Sequence, residues 1–146
     1  MDTDLRGRLY VDASALVKLF VPEPESDELN RLLAGRRDLI VSDLAVTEVV
    51  SAAARRMRGG ELNARDVRRL HRAILGDLEA GHFLAARLTP GTHREAERYL
   101  LHLQVALRAA DALHLALAAA EEAQTLVTFD DRLREAAGAA GLAVVP

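Results

Sequence analysis

The chain has 146 residues, half of them hydrophobic, enough for one core and too few for two ordinary domains, so a single domain over residues 1–146 is expected. It has no cysteine, which excludes disulfides, thiolate zinc sites and cysteine nucleophiles and fits a reducing cytoplasm. A net charge of −3 and 3% aromatic residues exclude a nucleic-acid surface built on overall positive charge or on a base-stacking platform, so any such contact must be local. The start Met1-Asp2-Thr3-Asp4 is acidic where a secretory signal is basic, and no apolar run approaches the roughly 18 residues that cross a bilayer. A soluble cytoplasmic protein with no membrane partner is the expectation.

In chain order, Arg8-Leu9-Tyr10-Val11-Asp12 reads as a short buried strand, followed by a helix from Ser14 to Phe20 that closes at Val21-Pro22. Leu29, Leu32 and Leu33 have helical spacing within Glu25 to Leu33, Gly35 ends that helix, and Leu39-Ile40-Val41 forms the second strand. Ser42 or Asp43 can cap the next helix, which runs to Met57 before Gly59-Gly60. Asn63 to about Ala80 is helical, and Phe83 to Leu88 is an ambiguous short strand before Thr89-Pro90-Gly91. Helices are expected from Thr92 to Gln104 and from Ala109 to Ala123. Thr125 to Phe129 is then a strand, Asp131 to Ala137 a short helix, and Leu142 to Val145 a last strand. Strands alternating with helices predict an α/β fold with a mostly parallel sheet covered on both faces.

Four carboxylates stand where the sequence is otherwise apolar. Asp12 and Asp130 follow strand ends, where ligands gather in such sheets. Glu48 shares a helical stripe with Ala45 and Ala52, and Asp111 shares one with Leu107, Leu115 and Ala118. Each has an ordinary explanation taken singly. Asp12 can cap the first helix, Thr128 can cap a helix with Asp131 answering three residues later, and Glu48 and Asp111 can pair with distant arginines. Four coincident departures fit a shared divalent cation better, because a carboxylate near a core costs several kcal/mol unless it is paired, hydrogen-bonded or metal-bound. Mg²⁺ and Mn²⁺ take hard oxygen ligands and serve displacement at phosphorus without a protein nucleophile.

The segments Leu9-Tyr10-Val11-Asp12-Ala13-Ser14-Ala15-Leu16-Val17-Lys18-Leu19-Phe20, Thr47-Glu48-Val49, Ala110-Asp111-Ala112-Leu113-His114-Leu115-Ala116 and Leu126-Val127-Thr128-Phe129-Asp130-Asp131-Arg132-Leu133 together resemble, in order and spacing, a PIN-domain ribonuclease of the VapC toxin type. The resemblance covers nearly the whole chain and is weakest between Gly60 and Leu101. It implies a three-layer fold, Mg²⁺- or Mn²⁺-dependent endonucleolytic cleavage of RNA, a homodimer, and a VapB-type antitoxin through which alone DNA would be met. It assigns Asp12, Glu48, Asp111 and Asp130 to the metal and the chemistry, with Ser14 and Thr128 as supporting hydroxyls. Asp131, an extra acid beside Asp130, is a further supporting candidate, and the strand-end register and the family's Thr-x-Asp pattern favour Asp130 as the one that faces the metal.

His114, one turn after Asp111, is read as a packed, hydrogen-bonded histidine, since magnesium rarely takes imidazole. Arg55, Arg56 and Arg58, with Arg65, Arg68, Arg69 and Arg72, either flank an RNA groove or form a solvated helix face. Two other functions compete. A receiver-like Mg²⁺-binding phosphoacceptor domain would want a lysine beyond a late strand, but the only lysine is Lys18 on the first helix. A non-catalytic PIN-like interaction module would make the acids merely structural.

Overall fold

The computed structural model describes residues 5–146; the acidic start Met1-Asp2-Thr3-Asp4 lies outside them. Five strands, β1 (Arg8–Val11), β2 (Leu39–Ser42), β3 (Leu84–Ala86), β4 (Ala123–Val127) and β5 (Ala143–Val145), form one wholly parallel sheet in the order β3-β2-β1-β4-β5. The helices are α1 (Ala13–Phe20), α2 (Ser26–Leu33), α3 (Asp43–Arg58), α4 (Ala64–Glu79), α5 (Pro90–His102), α6 (Ala109–Ala120) and α7 (Asp131–Ala139).

Strand alternation divides the core. Leu9, Val11, Leu39 and Val41 face α1 to α4, where they pack with Leu16, Leu29, Val49 and Ile74. Tyr10, Ile40 and Leu126 face the other way, onto Leu115 and Leu117 of α6 and Leu133 of α7. Small residues let α5 lie close to α6, with Ala96 against Ala112 and Ala116. The result is three layers, and a sheet covered on both sides explains why its central strands read as continuous apolar runs.

Several boundaries differ from expectation. α5 begins at Pro90 rather than Thr92, because Thr89 caps it and proline at the first helical position lacks only an N–H that would go unused there. Ala123 belongs to β4 and not to the helix before it, since pairing with Arg8 of β1 outweighs the helical preference of the alanine-rich run. α6 begins at Ala109 as expected, so Leu107 precedes it and does not share the helical stripe of Asp111. Of the two candidate caps for α3, Ser42 holds the position, its hydroxyl accepting from the Ala45 N–H at 3.0 Å. No helix among the described residues is long and apolar enough to cross a membrane.

The sheet order places a switch point at β1 and β4. From β1 the chain winds outward through β2 and β3, then returns to β4 on the other side. Loops leave these neighbouring strands in opposite directions, which opens a crevice at their carboxyl ends. Asp12 and Thr128 immediately follow β1 and β4 there.

Candidate active site

The site is built on helix N-termini. Asp12 caps α1: its Oδ1 accepts from the Ala15 N–H at 2.9 Å and the Ser14 hydroxyl at 2.7 Å, and its Oδ2 accepts from the Thr128 hydroxyl at 2.5 Å. Asp130 caps α7, its Oδ1 accepting from the N–H groups of Arg132 and Leu133 at 2.9 and 3.2 Å. Asp111, in the first turn of α6, accepts from the Arg108 N–H at 3.0 Å through Oδ2. Each carboxylate therefore meets the positive end of a helix dipole, which offsets part of the cost of gathering like charges. Capping and clustering are thus two aspects of one arrangement.

The two expected hydroxyls tie the strand ends together. Thr128, fully buried, accepts from the Asp130 N–H at 3.0 Å while donating to Asp12, and Ser14 accepts from the Phe129 N–H at 2.9 Å. The cap expected from Thr128 with Asp131 falls instead to Asp130. Asp131 lies outside the cleft, its side chain fully exposed and 3.9 Å from Arg134 Nε, because the first turn of α7 carries it away from the strand ends.

Glu48 reaches the cleft from the second turn of α3, and its partner is not an arginine. Its Oε1 meets His114 Nε2, and His114 Nδ1 lies 2.7 Å from the hydroxyl of Tyr10, itself 2.7 Å from the Ser42 hydroxyl. His114 is packed and hydrogen-bonded as expected. The contribution of Tyr10 was missed; its one sequence signal is a phenol inside the apolar Leu9-Tyr10-Val11 run.

Asp12, Glu48, Asp111 and Asp130 line a single cleft of about 440 Å³, together with Ser14, His114, Arg55 and Arg58. Arg56 turns away to Glu23 and Glu61, and Arg65, Arg68, Arg69 and Arg72 lie on the exposed face of α4 outside the cleft. Of the expected basic groove, only Arg55 and Arg58 adjoin the acids. Burial pushes the Asp12 carboxyl above its ordinary range, opposed by the hydrogen bonds from Thr128, Ala15 and Ser14. Burial likewise holds the Tyr10 phenol far above its ordinary value, so it stays neutral.

Among the described residues no three His, Asp or Glu side chains stand as a ready-made metal cage. The donor chemistry nevertheless suits a hard cation: carboxylate oxygens surround an open cleft, and Mg²⁺ keeps several waters and completes its shell with substrate phosphate. Oδ1 of Asp111, Oε2 of Glu48 and Oδ2 of Asp130 have no protein donor among the described residues, leaving each available to an ion.

The sequence itself places this arrangement among known proteins. A model of the PIN domain matches residues 9–139. The chain belongs to the PIN-domain family. Within that family it resembles Ribonuclease VapC46 of Mycobacterium tuberculosis, at 37% identity over 145 residues covering 94% of this chain and 95% of the relative. Ribonuclease VapC49 of the same organism is 35% identical over 142 residues, 94% of each chain. The PIN fold recurs in crystal structures too distant in sequence to show more than fold. M. tuberculosis VapC20, described as a sarcin-ricin loop cleaving toxin, superposes with a TM-score of 0.68 at 18% identity, over 88% of this chain and 94% of that one. VapBC2 from Rickettsia felis, bound to a DNA fragment from its promoter, gives a TM-score of 0.66 at 14% identity, over 95% and 98%. The receiver-like alternative fails on topology: that fold orders its strands 2-1-3-4-5, whereas this PIN domain has β3-β2-β1-β4-β5. Lys18, moreover, is held by Glu23 and Glu25.

Proposed function

We propose that this PIN domain, taken as one domain over residues 1–146, is a Mg²⁺- or Mn²⁺-dependent endoribonuclease and the toxin of a type II toxin–antitoxin pair. The observation that carries this reading is the meeting of Asp12, Glu48, Asp111 and Asp130 in one cleft at the strand ends. The ribonuclease names of relatives alike over nearly their whole length support RNA as the substrate. The R. felis complex on its promoter DNA supports a VapB-type antitoxin as partner, with DNA met only through it. A homodimer in the cytoplasm is the expected assembly, and the exposed Leu100 and Leu101 at the end of α5 supply apolar surface for it.

In this mechanism Asp12, Asp111 and Asp130 would hold the ion, with Glu48 completing the set. The chemistry it would supply there is positive charge against the scissile phosphate and a lowered pKa for the attacking water. Ser14 and Thr128 fix both oxygens of Asp12, so little reorganisation is needed as charge develops. Arg55 and Arg58, one helical turn apart at the cleft edge, hold RNA phosphates beside the scissile one.

Purified protein is expected to cut at least one structured RNA with Mg²⁺ or Mn²⁺ and to stop in EDTA; cleavage indifferent to chelation would sink the metal reading. A protein that binds RNA and never cuts it would favour the interaction module. Replacing Arg55 and Arg58 together with glutamine is expected to raise KM with kcat little changed. The same change should flatten the dependence of log affinity on log salt by about 1.4, at about 0.7 per single-strand phosphate contact. An unchanged salt slope would return both arginines to the solvated helix face.

A further inference from the structure

Beneath the cleft four side chains form one hydrogen-bonded chain: Ser42, which caps α3; Tyr10 of β1; His114 of α6; and Glu48 of α3. Ser42 and Tyr10 are fully buried and His114 is 3% exposed, so these groups must satisfy one another without solvent. Donor counting fixes the direction. Ser42 Oγ already accepts from the Ala45 N–H, and its own proton has one acceptor among the described residues, Tyr10 Oη. Tyr10 then donates to His114 Nδ1, and the neutral ring donates from Nε2 to Glu48. The opposite direction would leave the Ser42 proton buried with no acceptor, and Glu48 as a carboxylate can only accept.

We propose that His114, held as the Nε2–H tautomer by Ser42 and Tyr10, is a positioning residue that fixes Oε1 of Glu48 and leaves Oε2 to the cleft, thereby setting the contribution of Glu48 to cation binding. This inference rests on the metal-site reading above. The placement of the chain supports it: Tyr10 is two residues before Asp12 on the same strand segment, Ser42 caps the helix that carries Glu48, and His114 is one turn beyond Asp111. One buried relay thus registers the three elements bearing three of the four acids. Glu48 needs such support more than the others do, because its side chain is 37% exposed and longer, and receives no helix-capping N–H.

Two measurements on the full chain test the proposal. Side-chain ¹⁵N NMR of the metal-free parent at neutral pH is expected to show His114 with Nε2 in the protonated range and Nδ1 in the hydrogen-bonded acceptor range. In Tyr10→Phe, Nδ1 should move to the unbonded position. A protonated Nδ1 in the parent would overturn the assignment. Calorimetric titration with Mn²⁺ should show His114→Ala weakening binding by about 10–100-fold, as loss of a ligand-orienting partner does elsewhere. His114→Gln, which keeps an amide N–H toward Glu48, should recover most of that loss, and it guards against misfolding of the alanine variant. If His114 acts through Glu48, His114→Ala combined with Glu48→Gln should bind no more weakly than Glu48→Gln alone. Additive losses, or His114 variants that bind like the parent, would overturn the inference while leaving the metal site standing. A parent that binds no Mn²⁺ would overturn the metal reading and, with it, this role of His114.

Discussion

Asp12→Asn is expected to fold like the parent and to lose RNA cleavage by at least about 10²–10³-fold, the scale seen when one preorganised charge-stabilising group is removed from a hydrolase. Asparagine keeps an oxygen for the Ala15 N–H and the Ser14 hydroxyl, both of which converge on Oδ1, so the cap of α1 survives. Only the Thr128 contact must reverse. Its hydroxyl, now donating to Oδ2 at 2.5 Å, would accept from the new amide and turn its own proton toward Ser14 Oγ, 3.4 Å away. The substitution therefore subtracts a negative charge and little else. Single-turnover assays with saturating RNA, beside circular dichroism of both proteins, check it. A folded Asp12→Asn protein cutting within tenfold of the parent would remove Asp12 from the chemistry.

The same residues show what a sequence can disclose. Asp12 and Asp130 were legible because each ends a short apolar run, and a charge at that point is a local anomaly. Asp111 stood out as the one acid in the alanine- and leucine-rich run from Ala109 to Ala120. Those anomalies needed no long-range knowledge, and neither did the parallel sheet, since the buried runs of β1, β2 and β4 are contiguous in sequence. The three-residue edge strand β3 was ambiguous because its Leu-Ala-Ala sequence has little strand preference of its own and is held by pairing with β2. The link between Glu48 and His114 spans 66 residues and the link between Tyr10 and His114 spans 104, distances at which no helical spacing signals a contact. The opposed placement of Asp130 and Asp131 was legible only in part, the strand-end register favouring Asp130. Both are adjacent acids at a helix start, and the backbone turn decides which faces inward.

Saturating Mn²⁺ is expected to raise the melting temperature of the parent and to do little for Asp111→Asn. At a metal concentration of 100 times Kd, binding to the native state alone adds about 2.7 kcal/mol, or roughly 5–10 °C for a chain of this size. Asparagine still accepts the Arg108 N–H, so in EDTA the variant should melt at or above the parent, one charge having left a crowded acidic cleft. Asp111→Ala removes the acceptor as well and should cost about 1 kcal/mol. This pair of substitutions separates the two duties of the residue. If Asp111 were only a cap, asparagine would be neutral and would keep the full Mn²⁺ response; if it also holds the ion, both variants lose the response and only alanine loses the cap. The pH dependence gives an independent check through Asp12, whose folded-state pKa is raised, chiefly by burial. The folded protein then binds more protons than the unfolded chain between the ordinary aspartate value near 3.9 and the raised one. This contribution to metal-free stability is fully present below about 3.9 and is lost as pH rises through the folded value, so Asp12→Asn should flatten that part of the stability curve. Melts in EDTA across that interval, repeated with Mn²⁺ at neutral pH, read both effects. An Asp111→Asn protein that keeps its full metal-induced rise would remove Asp111 from the ion's ligands, however strongly Asp12 depended on pH.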